Sequence, residues 1–253
     1  MSSGFVSLIA FVIILSGAFV GAALRRALPN DQLSTDAKDI VRLGTGLVGT
    51  IAALVLGLLI ASAKSSYDTQ SSQVHHMTAD IVLLDQLLEQ YGPEARPVRD
   101  VMRQAIGPLV ERLWWEKQSP AAKDAPFEAT PIAKDVFVRI GELTPTTEAQ
   151  RSLKTRAIQV STELAQTRLA LFVQAGSSIP MPFLAVLIFW LAIIFASFSL
   201  FAPLNPTLLA ALVVFALSAS AALFLILEMG EPFVGLMQIP SAPLRNALAP
   251  LGA

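Results

Sequence analysis

The sequence predicts an all-α membrane protein: four transmembrane helices, with a helical extramembrane insert between spans 2 and 3. Three observations carry this. The 253-residue chain has a mean hydropathy of +0.61 and only 15% charged residues, against about 25% in soluble domains. Four runs, 4–24, 43–63, 182–202 and 207–227, contain no Asp, Glu, Lys or Arg. Each is long enough to cross a hydrocarbon core of about 30 Å, which takes about 20 helical residues. Finally, 64–179 carries most of the charge, 13 basic and 14 acidic residues. It shows helical periodicity and no alternating β-branched pattern. The expected organisation is a transmembrane hairpin (1–63), the insert (64–179), a second hairpin (180–228) and a tail (229–253).

The same counts exclude several functions. A net charge of −1 gives no basic surplus for nucleic acid. The absence of cysteine removes disulfides, thiolate metal sites and a Cys nucleophile. No G-x-S-x-G, H-E-x-x-H, P-loop or Gly-rich dinucleotide turn occurs, so an enzyme is not expected. No cofactor and no metal site is expected either.

Span 1 has no Lys or Arg before it and is long for a signal-peptide core, so it is expected to be retained. Gly17 and Gly21 form a G-x-x-x-G pair. This spacing either admits a second helix closely or is chance on a lipid-facing helix. Arg25 and Arg26 stop the span. Turn residues follow at Pro29, Asn30 and Asp31, and Ser34 or Thr35 is placed to cap a short helix starting near Asp36.

The stretch 41–91 reads as one long helix with two kinds of seam. In the apolar half, small residues recur at every fourth position: Thr45, Gly49, Ala53, Gly57, Ala61 and Ser65. Beyond Lys64 the pattern becomes Val74, Met77, Ile81, Leu84, Leu88, Tyr91, a heptad seam. Gly92-Pro93 ends it. A second helix is expected over 94–117, with Pro97 in its first turn and a possible kink at Pro108. A Pro- and Ala-rich loop then covers 118–131, and a short helix 132–143. Thr144–Glu148 is a good helix start for a last helix to about Gln174. Its seam is Ala157, Val160, Leu164, Thr167 and Leu171, so the two heptad helices should pair antiparallel. Pro180 and Pro182 break that helix at the membrane. Trp190 lies mid-span, where a helix partner is expected. Pro203-Leu204-Asn205-Pro206 makes spans 3 and 4 a hairpin.

Candidate sites lie mainly on span 2. The small stripe Thr45, Gly49, Ala53, Gly57, Ala61 either packs within the chain or forms a pore wall or subunit contact. In the latter case the other face, Leu47, Ile51, Leu54 and Leu58, points to an axis, where an aliphatic ring gates by dewetting. Lys64 and Asp68, at i, i+4, mark the membrane exit. They are either a helix ion pair worth a few tenths of a kcal/mol (about 0.2–0.5) with a snorkelling lysine, or a ring of charge at a pore mouth. His76 and Asp80 share a helix face, with no third ligand evident, and His75 adjoins them; a solvated face is the simpler expectation. Glu228, at the end of span 4, is expected to be solvated. Trp114-Trp115 fits either the core of the insert or the membrane surface.

The string ALVLGLLIASAKSSYD at 53–68 resembles the signature of bacterial membrane proteins labelled bestrophin-like. LLDQLLEQYGPEARPVR at 83–99 and LEMGEPFVGLMQIPSAPLR at 227–245 extend the similarity over nearly the whole chain. Bestrophins are pentameric anion channels with four spans, a helical cytosolic region between spans 2 and 3, and a pore lined by span 2. The resemblance therefore implies an oligomeric channel for a small anion, lined by span 2, in the bacterial inner membrane. It also implies a cytoplasmic insert and cytoplasmic termini. Charge counting near the span ends sets Lys64, Arg168 and Arg245 against Arg25, Arg26, Lys38 and Arg42, almost a tie. Span 2 carries no aromatic residue, unlike the bestrophin pore neck, and the calcium-clasping acidic run of animal bestrophins is absent. The expected partners are the lipid bilayer and further copies of the chain. The alternative is a non-conducting scaffold or sensor whose insert binds a protein.

Overall fold

The structure, a computed structural model, describes residues 2–29, 35–114, 131–174, 181–202 and 205–247. Residues 118–130 of the loop expected over 118–131, Trp115, the cap candidate Ser34, Pro180 and the turn residues Asn30, Asp31, Pro203 and Leu204 lie outside these. Every regular element among the described residues is helical. They form two compact units, Met1–Ser66 with Ile179–Gly230, and Tyr67–Ser178 with Glu231–Ala253.

The first unit contains the apolar helices. Helix α1 is Ser3–Ala27 and α2 is Thr35–Tyr91. Among the described residues the short helix expected near Asp36 is not separate from span 2: α2 is continuous for 57 residues from Thr35, because nothing between Asp36 and Val41 breaks it. Its apolar half belongs to this unit. Of the later helices, α6 is Met181–Phe201 and α7 is Pro206–Met229. Pro206 sits at the first position of α7, where the missing N–H costs nothing, after Asn205 in extended conformation. Among the described residues four helices are long and apolar enough to cross a membrane. Intrahelical bonding is the way such segments satisfy their backbone in lipid. Their hydroxyls follow suit: Thr50, Ser197 and Ser218 donate to carbonyls four residues back.

Helix α1 packs against both α6 and α7. The G-x-x-x-G pair is used. Gly17 lies against the backbone of Ala192 and Gly21 against that of Ala196, so close that an added Cβ would strike both carbonyls. The two registers rise together, so α1 and α6 run parallel. Ala10, Ile14 and Ala18 of α1 bury with Leu184, Leu187 and Phe195 of α6 and with Leu212, Ala216 and Leu223 of α7. Trp190 is partly buried against this core, as expected of a mid-span tryptophan with a helix partner.

The second unit starts with the outer half of α2. Its seam is buried throughout: Val74, Met77, Ile81, Leu84, Leu88 and Tyr91 all lie in one core. Gly92 ends the helix with φ +123°, a conformation open to glycine, and Pro93–Ala95 form a single 3₁₀ turn. Helices α3 (Arg96–Trp114), α4 (Pro131–Glu142) and α5 (Glu148–Gln174) follow. Pro108 sits inside α3 without interrupting it. The start of α5 is a capping arrangement: Thr147 Oγ1 accepts from the Gln150 amide at 3.1 Å, and Gln150 Oε1 accepts from the Thr146 amide at 2.9 Å. Gln150 Nε2 also donates to the Tyr91 carbonyl at 3.1 Å. Lys154 Nζ donates to the carbonyls of Gly141 and Leu143, closing the end of α4.

Gln150 meets Tyr91, whereas Glu163, further along α5, faces Asp80, earlier on α2. The two heptad helices are therefore antiparallel, and Ala157, Val160 and Leu171 join the core. The residues after span 4 join it as well. Trp114 Nε1 donates to the Ile239 carbonyl at 2.8 Å and meets the Phe233 ring edge-on, centroids 5.3 Å apart. Leu244, in the short helix α8 (Ala242–Arg245), is fully buried. Trp114 is thus a core residue, and the tail is part of the helical unit.

Candidate functional site

Span 2 is the least covered of the four spans: 11% of its apolar stretch is buried, against 33%, 22% and 28% in the others. Ala52, Leu56 and Leu59 make its contacts with the core of the membrane unit. On the far side, Leu47, Ile51, Leu54 and Leu58 share one face and are all exposed, Leu54 and Leu58 each at 70%.

The small stripe does not follow either face. A step of four residues overshoots a turn by about 40°, so the stripe winds around the helix. Thr45 and Gly49 start beside the packed face and are half-buried, with Ile194 Cδ1 3.9 Å from where a Gly49 Cβ would sit. Ala53, Gly57 and Ala61 have rotated into the open, and nothing lies within 4 Å of a Cβ at Gly57. Packing within the chain accounts for the start of the stripe and not its end. Lys64 and Asp68 are both exposed.

Further along α2, His75 and His76 are exposed. Asp80 is partly buried. Burial raises its carboxyl above the ordinary aspartate range, and neighbouring Glu163 pushes the same way against the opposing pull of His76 and Arg156. Among the described residues no three His, Asp or Glu side chains converge as a metal site would require.

Two buried charged groups escaped sequence reasoning. Asp85, next to the seam residue Leu84, is wholly buried. Arg99 grips it with two parallel bonds: Nε to Oδ1 at 2.8 Å and an Nη2 to Oδ2 at 2.7 Å. Glu89 stands 3.6 Å from the same guanidinium. The bond to Asp85 raises the Arg99 pKa from an already high value, so the pair is ionic. It clamps α3 to α2 across the Gly92 turn, within the string 83–99. The available signal was an acid on a seam flank, with an arginine one turn beyond a Gly-Pro break.

The other is Glu228. Expected in solvent, it is only 3% exposed, and its Oε2 accepts from Ser3 Oγ at 2.5 Å. A buried carboxylate needs such donors. The bond ties the end of span 4 to the start of span 1, whose Ser7 hydroxyl is itself bonded to the Ser3 carbonyl.

Comparison with known proteins matches this arrangement to one family. A model of the Bestrophin-like domain matches residues 12–244. A crystal structure of a bacterial bestrophin homologue from Klebsiella pneumoniae aligns with a TM-score of 0.68 at 15% identity, covering 100% of this chain and 99% of that one. Two further structures of the Klebsiella homologue align at 0.66 and 0.64, each with 14% identity; they cover 97% and 96% of this chain and 99% and 97% of theirs. Curated proteins yield no match. With the family pattern running through nearly its whole length, the chain belongs to the Bestrophin-like family.

Proposed function

We propose that this chain is one subunit of a homo-oligomeric anion channel in the bacterial inner membrane, with span 2 of each copy lining the pore. The observation that carries the proposal is the bare far side of span 2. Its aliphatic face and the open end of its small stripe lie side by side on one helix. Small residues let neighbouring helices approach in lipid, so Ala53, Gly57 and Ala61 suit contact with the next copy. Such contact turns Leu47, Ile51, Leu54 and Leu58 toward a shared axis. A ring of these side chains opens and closes to water by wetting. Lys64, exposed just past the apolar run, then repeats around the mouth and attracts anions. The pentamer, and the cytoplasmic placement of the insert and termini, come from the bestrophin resemblance. In this reading the chain performs no catalysis.

The test is the mass of the purified complex together with halide flux in liposomes. A closed ring with anion-selective flux is expected. Leu54→Ala should raise the flux by widening the constriction, and Lys64→Glu should lower anion selectivity. A strict monomer that passes no ions defeats the proposal.

A further inference from the structure

At the end of the membrane unit away from Ser3 and Glu228, the ends of α1 and α6 meet the start of α7. The contacts of Gly17 with Ala192 and of Gly21 with Ala196 set the parallel register of α1 and α6. One turn further on, that register brings Arg25 level with Ser199 and Leu200. Ser199 follows Ala192 by seven residues and so continues the face of α6 that α1 covers. The bond from Ser3 to Glu228 sets the antiparallel register of α1 and α7. It brings Arg25 level with Pro206, the first residue of α7.

Donors gather at this level. Arg25 is half-buried, and its Nη1 is shielded from solvent without a hydrogen-bond partner. Carbonyls at the ends of α1 and α6 stand nearby, yet none accepts from this nitrogen. The Ser199 hydroxyl is fully buried and has no partner either, whereas Ser197 and Ser218 bond back to their own helices. Asn205 gives α7 no side-chain cap, so the Thr207 and Leu208 amides, at the positive end of a 24-residue helix, lack one. The one acid carried by α1, α6 and α7 is Glu228, at the opposite end, and Asp39 of α2 pairs with Arg42 at 3.8 Å. A water molecule satisfies the hydroxyl but leaves the guanidinium charge uncompensated. A phosphate oxygen accepts from all three kinds of donor and neutralises it. Arg25 is also the first charge after the uncharged run 4–24, which sets it at the depth of the headgroup phosphates. We propose that Arg25, Ser199 and the first turn of α7 together bind the phosphate of a phospholipid from the surrounding bilayer. The site uses no residue of span 2 and stands whether or not the protein conducts ions.

The experiment is native mass spectrometry of the full-length protein in detergent, titrated with dioctanoyl phosphatidylglycerol. One tightly held phosphatidylglycerol per chain is expected. Arg25→Gln should weaken it about tenfold or more by removing a charge-assisted bond. Ser199→Ala, which removes only the hydroxyl, should weaken it about threefold. Arg26→Gln, adjacent in sequence but exposed, should change it by less than about twofold. Dioctanoylglycerol, which has the chains without the phosphate, should not compete. Inorganic phosphate should compete at least about a hundredfold less well than the lipid. Equal weakening by Arg25→Gln and Arg26→Gln overturns the proposal, because diffuse surface charge then suffices. So does a lipid held no tighter than its nonspecific adducts, or one that dioctanoylglycerol displaces. Displacement by inorganic phosphate at the lipid's own concentration overturns it too, since the ligand is then a soluble anion. If Arg25→Gln fails to fold, the two competitions on the wild-type protein decide.

Discussion

The two halves of α2 treat their apolar residues in opposite ways. From Val74 to Tyr91 every seam residue is buried inside the chain, whereas Leu47, Leu54 and Leu58 of the apolar half stand mostly bare. Both are regular helix, and both carry large aliphatic side chains at spacings of three and four. The outer half is in water and must cover its seam to be stable there. Its partner is supplied in the same chain, by α5. The inner half has lipid as solvent, which leaves a leucine at no cost. Exposure there marks where another helix can sit, without forcing one to.

The largest expected effect breaks the outer half alone. Arg99→Leu leaves Asp85 buried and unpaired, and should destabilise the helical unit by about 3–5 kcal/mol. Thermal unfolding in detergent measures it. The double variant Asp85→Leu/Arg99→Leu should recover much of the loss, because it removes the stranded charge as well.

A matched pair of truncations then compares the halves directly. Leu84→Ala should cost about 2–5 kcal/mol of stability through its cavity. Leu54→Ala should leave unfolding of the single chain nearly unchanged and alter only the mass of the assembly or its flux. An equal loss of stability at both positions would show that the inner face is covered within the chain.

A glycine pair sharpens the same contrast within the membrane unit. Gly21→Val drives a side chain into the Ala196 backbone, and overpacking of this kind costs about 1–3 kcal/mol or more. A Cβ added at Gly57 meets nothing within 4 Å in the chain, so the effect of Gly57→Val should appear in the mass of the complex.

The smallest expected effect concerns Asp80. Its folded-state pKa is raised, so the folded protein binds this proton more tightly than the unfolded chain. Its contribution therefore favours folding at low pH and is lost as pH rises through the range just above an ordinary aspartate. Asp80→Asn should flatten the stability profile in that window and leave it unchanged below. A steeper decline in the variant would contradict the assignment.

Much of this was legible in the residues. The helix start at Thr144–Glu148, the Gly92-Pro93 stop and the two heptad seams each act over a few positions, so α5, the end of α2 and their antiparallel pairing followed from pattern. The tail was not legible. Phe233, Ile239 and Leu244 are spaced by no regular period, and their burial depends on Trp114, more than a hundred residues away in sequence. Nor was Glu228, because a carboxylate at a span end is solvated or buried according to what stands beside it, and Ser3 comes from the far end of the chain. Asp85 and Arg99 were hidden for the same reason: each is an ordinary surface residue until the turn brings them together.

By itself, the sequence determined four lipid-compatible helices, one helical insert, and the positions where helices start and stop. These follow from local rules: uncharged length, heptad period, capping side chains and glycine conformation. The tertiary structure decided which faces are used. It set Gly17 and Gly21 on the α6 backbone, gave the outer seam of α2 to α5, and wound the small stripe of span 2 from the packed face into the open. Faces depend on rotation about the helix axis, and that angle is chosen by neighbours distant in sequence.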